Sequence, residues 1–104
     1  MDQAEKRHNK GLEYIADRLL SKGYDIVLKH AEYKTPEYCG EIDILALRGS
    51  VLHFYEIKGN NCKTARKHAS EQLKRVQLAF PNIDVKCIYV GLEGSDYRKV
   101  RRMY

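Results

Sequence analysis

The sequence is poor in cysteine and lacks any long apolar run. Its three cysteines, Cys39, Cys62 and Cys87, are odd in number and form no C-x-x-C pair. This spacing argues against a zinc site or a disulfide framework. No apolar run approaches the length of a membrane span, and the polar residues 1–7 lack the apolar core of a signal peptide. We therefore expect a soluble, intracellular (cytoplasmic) protein with no membrane partner.

Repeats, low-complexity segments and linkers are also absent from the sequence. The chain has 104 residues, of which 43% are hydrophobic, a fraction typical of folded proteins. A chain of this length forms one domain with a single modest core. The sequence therefore predicts one domain over residues 1–104.

Acidic residues are fewer than basic ones, and the formal net charge is +5 at pH 7. The basic residues crowd the segment 63–75, and a second basic group covers 98–102. The basic residues of the first group that we expect to contact nucleic acid are Lys63, Arg66, Lys67 and Lys74. Charge alone leaves two interpretations open: a surface for a polyanion, with nucleic acid as the first candidate, or a solvated helix face.

Apolar spacing predicts a helix over about 3–22, because Leu12, Ile15 and Leu19 recur at helical intervals and Gly23 is a natural stop. A strand follows over 24–30, and the segment 31–39, with Thr35-Pro36, is predicted as a loop.

Two apolar segments, about 41–48 and 51–58, predict a hairpin joined by a short glycine-containing turn. Thr64 is a plausible N-cap for a second helix over 64–79, which has an apolar stripe of Ala65, Ala69, Leu73, Val76 and Phe80. Residues 84–90 predict a fourth strand, in which Cys87 is most simply a core residue. The tail from Ser95 predicts a short helix with Tyr97, Val100 and Tyr104 on one face. The order αβββαβ indicates an α/β domain with one mixed four-stranded sheet flanked by helices.

Acids interrupt the apolar pattern of the hairpin strands. Glu56 and Lys58 point the same way along one strand, and pairing of the two strands brings Asp43 close to Glu56. A carboxylate on a buried strand is costly unless a metal, a partner charge or a reaction compensates it. Two interpretations follow: a Mg²⁺ site with a lysine beside it, or a structural lysine–carboxylate pair at a strand edge.

Together these elements and acids resemble the PD-(D/E)XK (restriction-endonuclease-like) nuclease superfamily. The resemblance runs from Gly11-Leu12-Glu13 through Gly40-Glu41-Ile42-Asp43 to Tyr55-Glu56-Ile57-Lys58-Gly59 and covers nearly the whole chain. Ile42 stands where the superfamily nominally has proline. In size and motif the chain is most similar to archaeal Holliday junction resolvases and to small endonucleases that carry G-E-I-D and E-x-K.

This resemblance implies that Asp43 and Glu56 ligate Mg²⁺, that Mn²⁺ substitutes for it, and that the backbone carbonyl of Ile57 is a further ligand. It implies that Lys58 orients or helps to deprotonate the attacking water. The position of Glu13 matches the acid that often completes the site from the first helix. Glu13 is therefore a candidate catalytic residue and metal ligand, with a solvated helix acid as the other interpretation.

Several other polar residues remain open. Glu41 shares the face of Asp43 if the strand alternates regularly, and it either assists the metal or lies at a solvated strand end. Gln72 either positions the site or DNA, as the resemblance implies for a glutamine on the second helix, or is a boundary residue next to Leu73. Tyr33 and Tyr38 either stack on unpaired bases or cover the end of the sheet. The four histidines show no ligand spacing, so we assign them no catalytic role. His53 falls on the strand face opposite Glu56, which indicates packing.

The leading hypothesis is a Mg²⁺-dependent DNA endonuclease that hydrolyses phosphodiester bonds in branched or duplex DNA. If the substrate is a Holliday junction, two coordinated nicks need two active sites, which implies a C2 homodimer with the fourth strand and the C-terminal stripe as candidate interface elements. The alternatives are a non-catalytic DNA-binding or assembly module on the same fold, and a nuclease that cleaves RNA.

Overall fold

A computed structural model of the chain describes residues 3–58, 63–91 and 101–102. These residues form two helices and five strands in the order of the predicted core. Their bounds are α1 Gln3–Ser21, β1 Ile26–Lys34, β2 Cys39–Arg48, β3 Val51–Lys58, α2 Lys63–Ala79, β4 Val85–Gly91 and β5 Arg101–Arg102.

The strands form one mixed sheet with the order β1-β2-β3-β4-β5. Strand β2 is antiparallel to both β1 and β3, β3 and β4 run parallel, and the two-residue β5 is antiparallel to β4. The predicted four-stranded mixed sheet is thus confirmed, with β5 as a short fifth strand at one edge. Because β2 and β3 lie inside the sheet, the acids on them are not at a sheet edge.

Each helix covers one face of the sheet. Leu12, Ile15, Ala16 and Leu19 of α1 are buried against a cluster that includes Ile44 of β2 and Tyr55 of β3. On the opposite face, α2 packs against Ile42, Phe54, Cys87 and Tyr89 through Ala69, Leu73 and Val76. We call these the α1 cluster and the α2 cluster. The predicted apolar stripes of both helices are therefore confirmed wherever their side chains are described.

Two glycines fix the ends of local elements. Gly23 has a φ of 85°, and the N–H groups of Gly23 and Tyr24 donate to the carbonyls of Leu20 and Leu19, which closes α1. Gly49, with a φ of 61°, begins the two-residue turn between the paired residues Arg48 and Val51.

The structure corrects the predicted loop 31–39. Strand β1 continues to Lys34, which pairs with Cys39, so the loop shrinks to residues 35–38. The Thr35 N–H donates to the Tyr38 carbonyl, and the Thr35 hydroxyl also bonds Tyr38, which makes a tight turn around Pro36. The presence of Pro36 led to a predicted loop that is too long, because the turn that contains this proline spans only four residues.

The structure also differs from the sequence prediction at the C-terminus and at the start of α2. The predicted C-terminal helix is wrong at residues 101–102, which pair with β4 as a strand, while Tyr97, Val100 and Tyr104 lie outside the described residues. Helix α2 begins at Lys63, so Thr64 is a helical residue and not the N-cap. Cys87 is buried, as predicted for a core residue. No described helix has the length and apolar character needed to cross a membrane.

The α2 cluster should depend on the one leucine at its centre. Leu73 is fully buried, whereas Leu78 on the same helix is 60% exposed. Leu73→Ala should lower the free energy of unfolding by about 2–5 kcal/mol because it leaves a cavity. Leu78→Ala, the matched control, should change it by no more than about 0.5 kcal/mol. Urea unfolding measures both, and equal losses would contradict the helix orientation described above.

Candidate active site

Strands β2 and β3 part at Asp43. Their paired register runs from Arg48↔Val51 to Ile44↔Tyr55, and the next rung would pair Asp43 with Glu56. At that rung, hydrogen bonds from backbone N–H groups to side-chain carboxylates replace the backbone–backbone hydrogen bonds of the ladder. The Ile57 N–H donates to Asp43 Oδ2 at 2.8 Å, and the Asp43 N–H donates to Glu56 Oε1 at 3.3 Å. The two carboxylates therefore lie side by side because each accepts a backbone N–H from the other's strand.

Glu56 is the most unusual ionisable group of the site. It is 2% exposed, on a face of β3 that packs towards α2. The pKa of Glu56 is raised from an ordinary 4.5 to about 7, mainly by burial and also by the charge of Asp43, while Lys58 acts in the opposite direction. A buried carboxylate with a raised pKa beside a second carboxylate is a typical feature of a functional site.

Lys58 supplies the positive charge next to Glu56. Its Nζ lies 3.7 Å from Glu56 Oε2 and donates to Gln72 Oε1 at 2.9 Å. Gln72 belongs to α2, so the Lys58 ammonium group lies between the Glu56 carboxylate of β3 and a side chain of this helix. Gln72 is half-buried, as expected of a boundary residue, and its contact with Lys58 agrees with the other interpretation, a residue that positions the site.

His8 reaches the site from α1. Its Nε2 lies 3.3 Å from Asp43 Oδ2, and this hydrogen bond is the main reason that the pKa of His8 is raised, although burial opposes the shift. The spacing of the histidines in the sequence does not predict this contact. The helical period does indicate it, because His8 lies four residues before Leu12 and extends the apolar stripe of α1 by one turn.

The structure does not bring Glu13 or Glu41 to the carboxylate pair. Glu13 is exposed and pairs with Lys29 of β1 at 3.0 Å. Glu41 is exposed, and its Oε1 lies 3.3 Å from His30 Nδ1. The parity argument for Glu41 is wrong because Ile42 and Ile44 belong to opposite clusters, so alternation breaks at Asp43.

The donor set of the site fits Mg²⁺. Asp43 and Glu56 provide hard carboxylate oxygens, and Mg²⁺ is usually held by one or two carboxylates while it keeps several waters. Among residues 3–58, 63–91 and 101–102, no three side chains of the His, Cys, Asp and Glu types group as a metal site. A closed zinc site needs four such ligands, so these described residues do not provide one.

The four basic residues predicted to contact nucleic acid are exposed on α2, the helix that carries Gln72. They are Lys63, Arg66, Lys67 and Lys74.

Two aromatic residues near the site have packing roles. Tyr33 is half-buried and its ring centroid lies 6.0 Å from that of Phe80, so it covers the α2 cluster. His53 is buried on the face opposite Glu56 and bonds the Tyr24 hydroxyl at 2.8 Å, which agrees with its predicted packing role.

The fold and the site together define the restriction-endonuclease-like class of the PD-(D/E)XK nucleases. The defining features are the order αβββαβ, a mixed sheet between two helices, an aspartate where the central strands part, and Glu-x-Lys on the adjacent strand. The carboxylates lie within the sheet between the two helices, on two adjacent central strands.

Two curated proteins place the chain in a family. A UPF0102 protein of Erythrobacter litoralis is 30% identical over 95 residues, which cover 91% of this chain and 78% of that protein. A UPF0102 protein of Kosmotoga olearia is 37% identical over 62 residues, or 59% of this chain and 50% of that protein. The chain belongs to the UPF0102 family, which is nuclease-like and part of the PD-(D/E)XK-like superfamily. No family model matches the sequence.

The metal-free protein should lose stability as Glu56 ionises. Between about pH 4.5 and about pH 7 the unfolded chain has lost this proton and the folded chain still holds it. The free energy of unfolding therefore falls as the pH rises. Glu56→Gln should remove up to about 3 kcal/mol of this fall, because one pKa unit corresponds to about 1.36 kcal/mol. Urea unfolding in chelator, below and above this range, measures the difference.

Exposed Glu71 offers the matched control. Glu71→Gln should keep the pH dependence of the wild-type protein, since its carboxylate lies in solvent. The raised pKa of His8 acts in the same direction as that of Glu56, because stability gained by its protonation is lost as the pH rises, and this part should persist in Glu56→Gln. An identical pH dependence for Glu56→Gln and the wild-type protein would contradict the burial of an ionisable Glu56.

Proposed function

We propose that this protein is a Mg²⁺-dependent DNA endonuclease that hydrolyses phosphodiester bonds. The observation that carries the proposal is the buried Glu56 carboxylate, which lies beside Asp43 with Lys58 3.7 Å away. Burial of a carboxylate pair is costly in a purely structural role, and a divalent cation offsets that cost. Membership of a nuclease-like family supports the same reaction class.

Each residue of the site has a separate role in this proposal. Asp43 and Glu56 hold Mg²⁺ or Mn²⁺, with the Ile57 carbonyl as a further oxygen donor. The ion, when bound, supplies Lewis-acid polarisation of the phosphate and lowers the pKa of a bound water. Lys58 orients the attacking water and offsets the charge that develops on the phosphate. Gln72 fixes the Lys58 ammonium, and His8 fixes the Asp43 carboxylate.

The exposed basic residues of α2 suit the backbone of DNA. Lys63 and Lys67 lie one turn apart at the start of the helix, and Lys74 continues the same face two turns later. Lys and Arg side chains on an exposed helix can neutralise phosphates, and such contacts carry no sequence information. We therefore assign Lys63, Arg66, Lys67 and Lys74 to phosphate contacts, which makes the enzyme selective for DNA structure and indifferent to sequence.

A branched substrate would set the assembly. One described chain offers one carboxylate pair, and two coordinated nicks in a symmetric four-way junction need two. We propose a C2 homodimer for that substrate, as in a Holliday junction resolvase. A single-site nicking enzyme on duplex or flap DNA needs no dimer, so the oligomeric state in solution, measured by light scattering, belongs with the substrate assay.

Loss of either carboxylate should abolish cleavage. Asp43→Asn, Glu56→Gln and Lys58→Met should each lower the cleavage rate at least about 100-fold, because each removes a ligand or charge needed in the transition state. Four-way junction, flap, linear duplex and RNA should be compared in Mg²⁺ and Mn²⁺. Ca²⁺ should bind yet support little cleavage, because its looser coordination activates water less well.

The controls for cleavage are Glu41→Gln and Glu71→Gln, which change exposed acids outside the pair. Both should cleave like the wild-type protein. Full activity in excess chelator, or wild-type cleavage by Glu56→Gln, would rule out the proposed mechanism. Cleavage of RNA in preference to every DNA would keep the metal site and refute the proposed substrate.

The basic face of α2 should determine the salt dependence of binding. Lys63→Gln combined with Lys67→Gln should weaken binding to all DNA sequences alike. It should also flatten the slope of log affinity against log salt by about 0.9 for each lost phosphate contact. Fluorescence anisotropy with Glu56→Gln protein, which binds without cutting, measures the slope.

Lys22 and Lys86 provide a matched pair of exposed lysines away from α2. Lys22 follows the end of α1 opposite to His8, and Lys86 pairs with His53 at the far end of the parallel strands. Lys22→Gln with Lys86→Gln should leave the slope unchanged. A changed sequence preference with a constant slope in the α2 variant would mean that the helix reads bases.

A further inference from the structure

The backbone of His30 departs from the rest of strand β1. Its φ is 53°, and it is the one non-glycine residue among those described with a positive φ. The left-handed region is uncommon for residues with a side chain and is normally occupied by glycine or asparagine. The side chain of His30 is 56% exposed, and its contact is with exposed Glu41, so core packing does not explain this conformation.

His30 lies opposite Asp43. Strands β1 and β2 keep one register from Ile26↔Leu47 to Lys34↔Cys39, with Lys29 paired to Ile44 and Ala31 paired to Ile42. The pair between them, His30 with Asp43, is missing from an otherwise continuous ladder. No residue is inserted in either strand, so the interruption is a local rotation of the backbone and not a bulge of the usual kind.

Both strands turn over at this rung. On β1, Val27 packs against the α1 cluster and Lys29 donates to Glu13 of α1, yet Ala31 and Tyr33 pack against the α2 cluster. Residues two apart share a face in a regular strand, so β1 reverses its faces between residues 29 and 31.

Strand β2 reverses at the matching place. Ile44 belongs to the α1 cluster and Ile42 to the α2 cluster. Asp43 lies between them. Its Oδ2 accepts the Ile57 N–H of β3 and lies 3.3 Å from His8 of α1, and its own N–H donates to Glu56. The hydrogen bond that holds the Asp43 carboxylate against β3 therefore falls at the rung where β2 is rotated.

We propose that His30 is a positioning residue for the metal site: its left-handed backbone turns the β1–β2 ribbon over at the rung that directs Asp43 towards Glu56. This inference rests on the proposed function, since it gives a role to the metal ligands assigned there. The imidazole contributes little, and the backbone conformation carries the effect. Substitutions at position 30 should therefore sort by their tolerance of a positive φ and not by charge or size.

Two measurements test the sorting. Hydrogen exchange of the Ile57 amide reports whether Asp43 still accepts that N–H, with no metal present. Calorimetric titration of the metal-free protein with Mn²⁺ reports whether Asp43 and Glu56 still act together. The variants are His30→Gly and His30→Asn, which tolerate a positive φ, and His30→Val, which does not.

His30→Gly and His30→Asn should keep wild-type protection of the Ile57 amide and wild-type Mn²⁺ affinity. His30→Val should lose protection selectively at Ile57 and bind Mn²⁺ about 10- to 100-fold more weakly, the usual effect of losing support for a metal ligand. Glu32→Val is the matched control, because it places the same β-branched side chain at an exposed position of β1 with ordinary strand backbone. It should behave like the wild-type protein in both measurements.

If His30→Val does not fold, His30→Ala against His30→Gly carries the same comparison, and alanine should be the poorer of the two. The proposal is overturned if His30→Val, or His30→Ala in its place, matches His30→Gly in both measurements. It is also overturned if Ile57 protection is lost with no loss of Mn²⁺ affinity. A wild-type protein that binds no Mn²⁺ would refute the proposed function instead, and the Ile57 amide would still decide the role of His30.

Discussion

Two hydrogen bonds from backbone N–H groups to carboxylates, from Ile57 to Asp43 and from Asp43 to Glu56, are the interactions on which the site depends. Each carboxylate accepts an N–H from the opposite strand, so β2 and β3 stay joined although their ladder ends at Ile44 and Tyr55. This arrangement satisfies two backbone donors and at the same time places two acidic groups in one small volume. The raised pKa of Glu56 is the consequence of burial and of that crowding. In the function proposed above, a divalent cation supplies the counter-charge.

The two helices stabilise the pair from opposite faces of the sheet. From α1, His8 contacts the Asp43 carboxylate, and from α2, Gln72 holds Lys58 against Glu56. Neither helix supplies an acid to the described site. The helices thus act on the orientation of groups that the strands carry, and their own apolar stripes fix where those contacts fall. The same packing that builds the core therefore sets the geometry of the site.

Much of the fold could be predicted because the apolar periods are clear. The stripes of α1 and α2, the Gly49 turn and the alternating strands led to the order αβββαβ and to the pairing of Asp43 with Glu56. The errors lie where a local pattern is ambiguous. Pro36 suggested a long loop, yet a four-residue turn accommodates it. The side chain of Glu41 was placed on the face of Asp43 by assuming regular alternation along β2, and this alternation fails at the rotated rung.

Hydrophobic period and motif are local properties, so the elements and the nuclease-like class could be predicted from the amino-acid sequence. Contacts between distant side chains arise only when the elements pack. His8 lies 35 residues from Asp43 in the chain, and Gln72 lies 14 residues from Lys58. The structure also turned Glu13 to Lys29 and gave His30 its left-handed backbone. Such contacts depend on how helices are placed across a sheet and on a rotation shared by two strands, and no spacing within one segment encodes either.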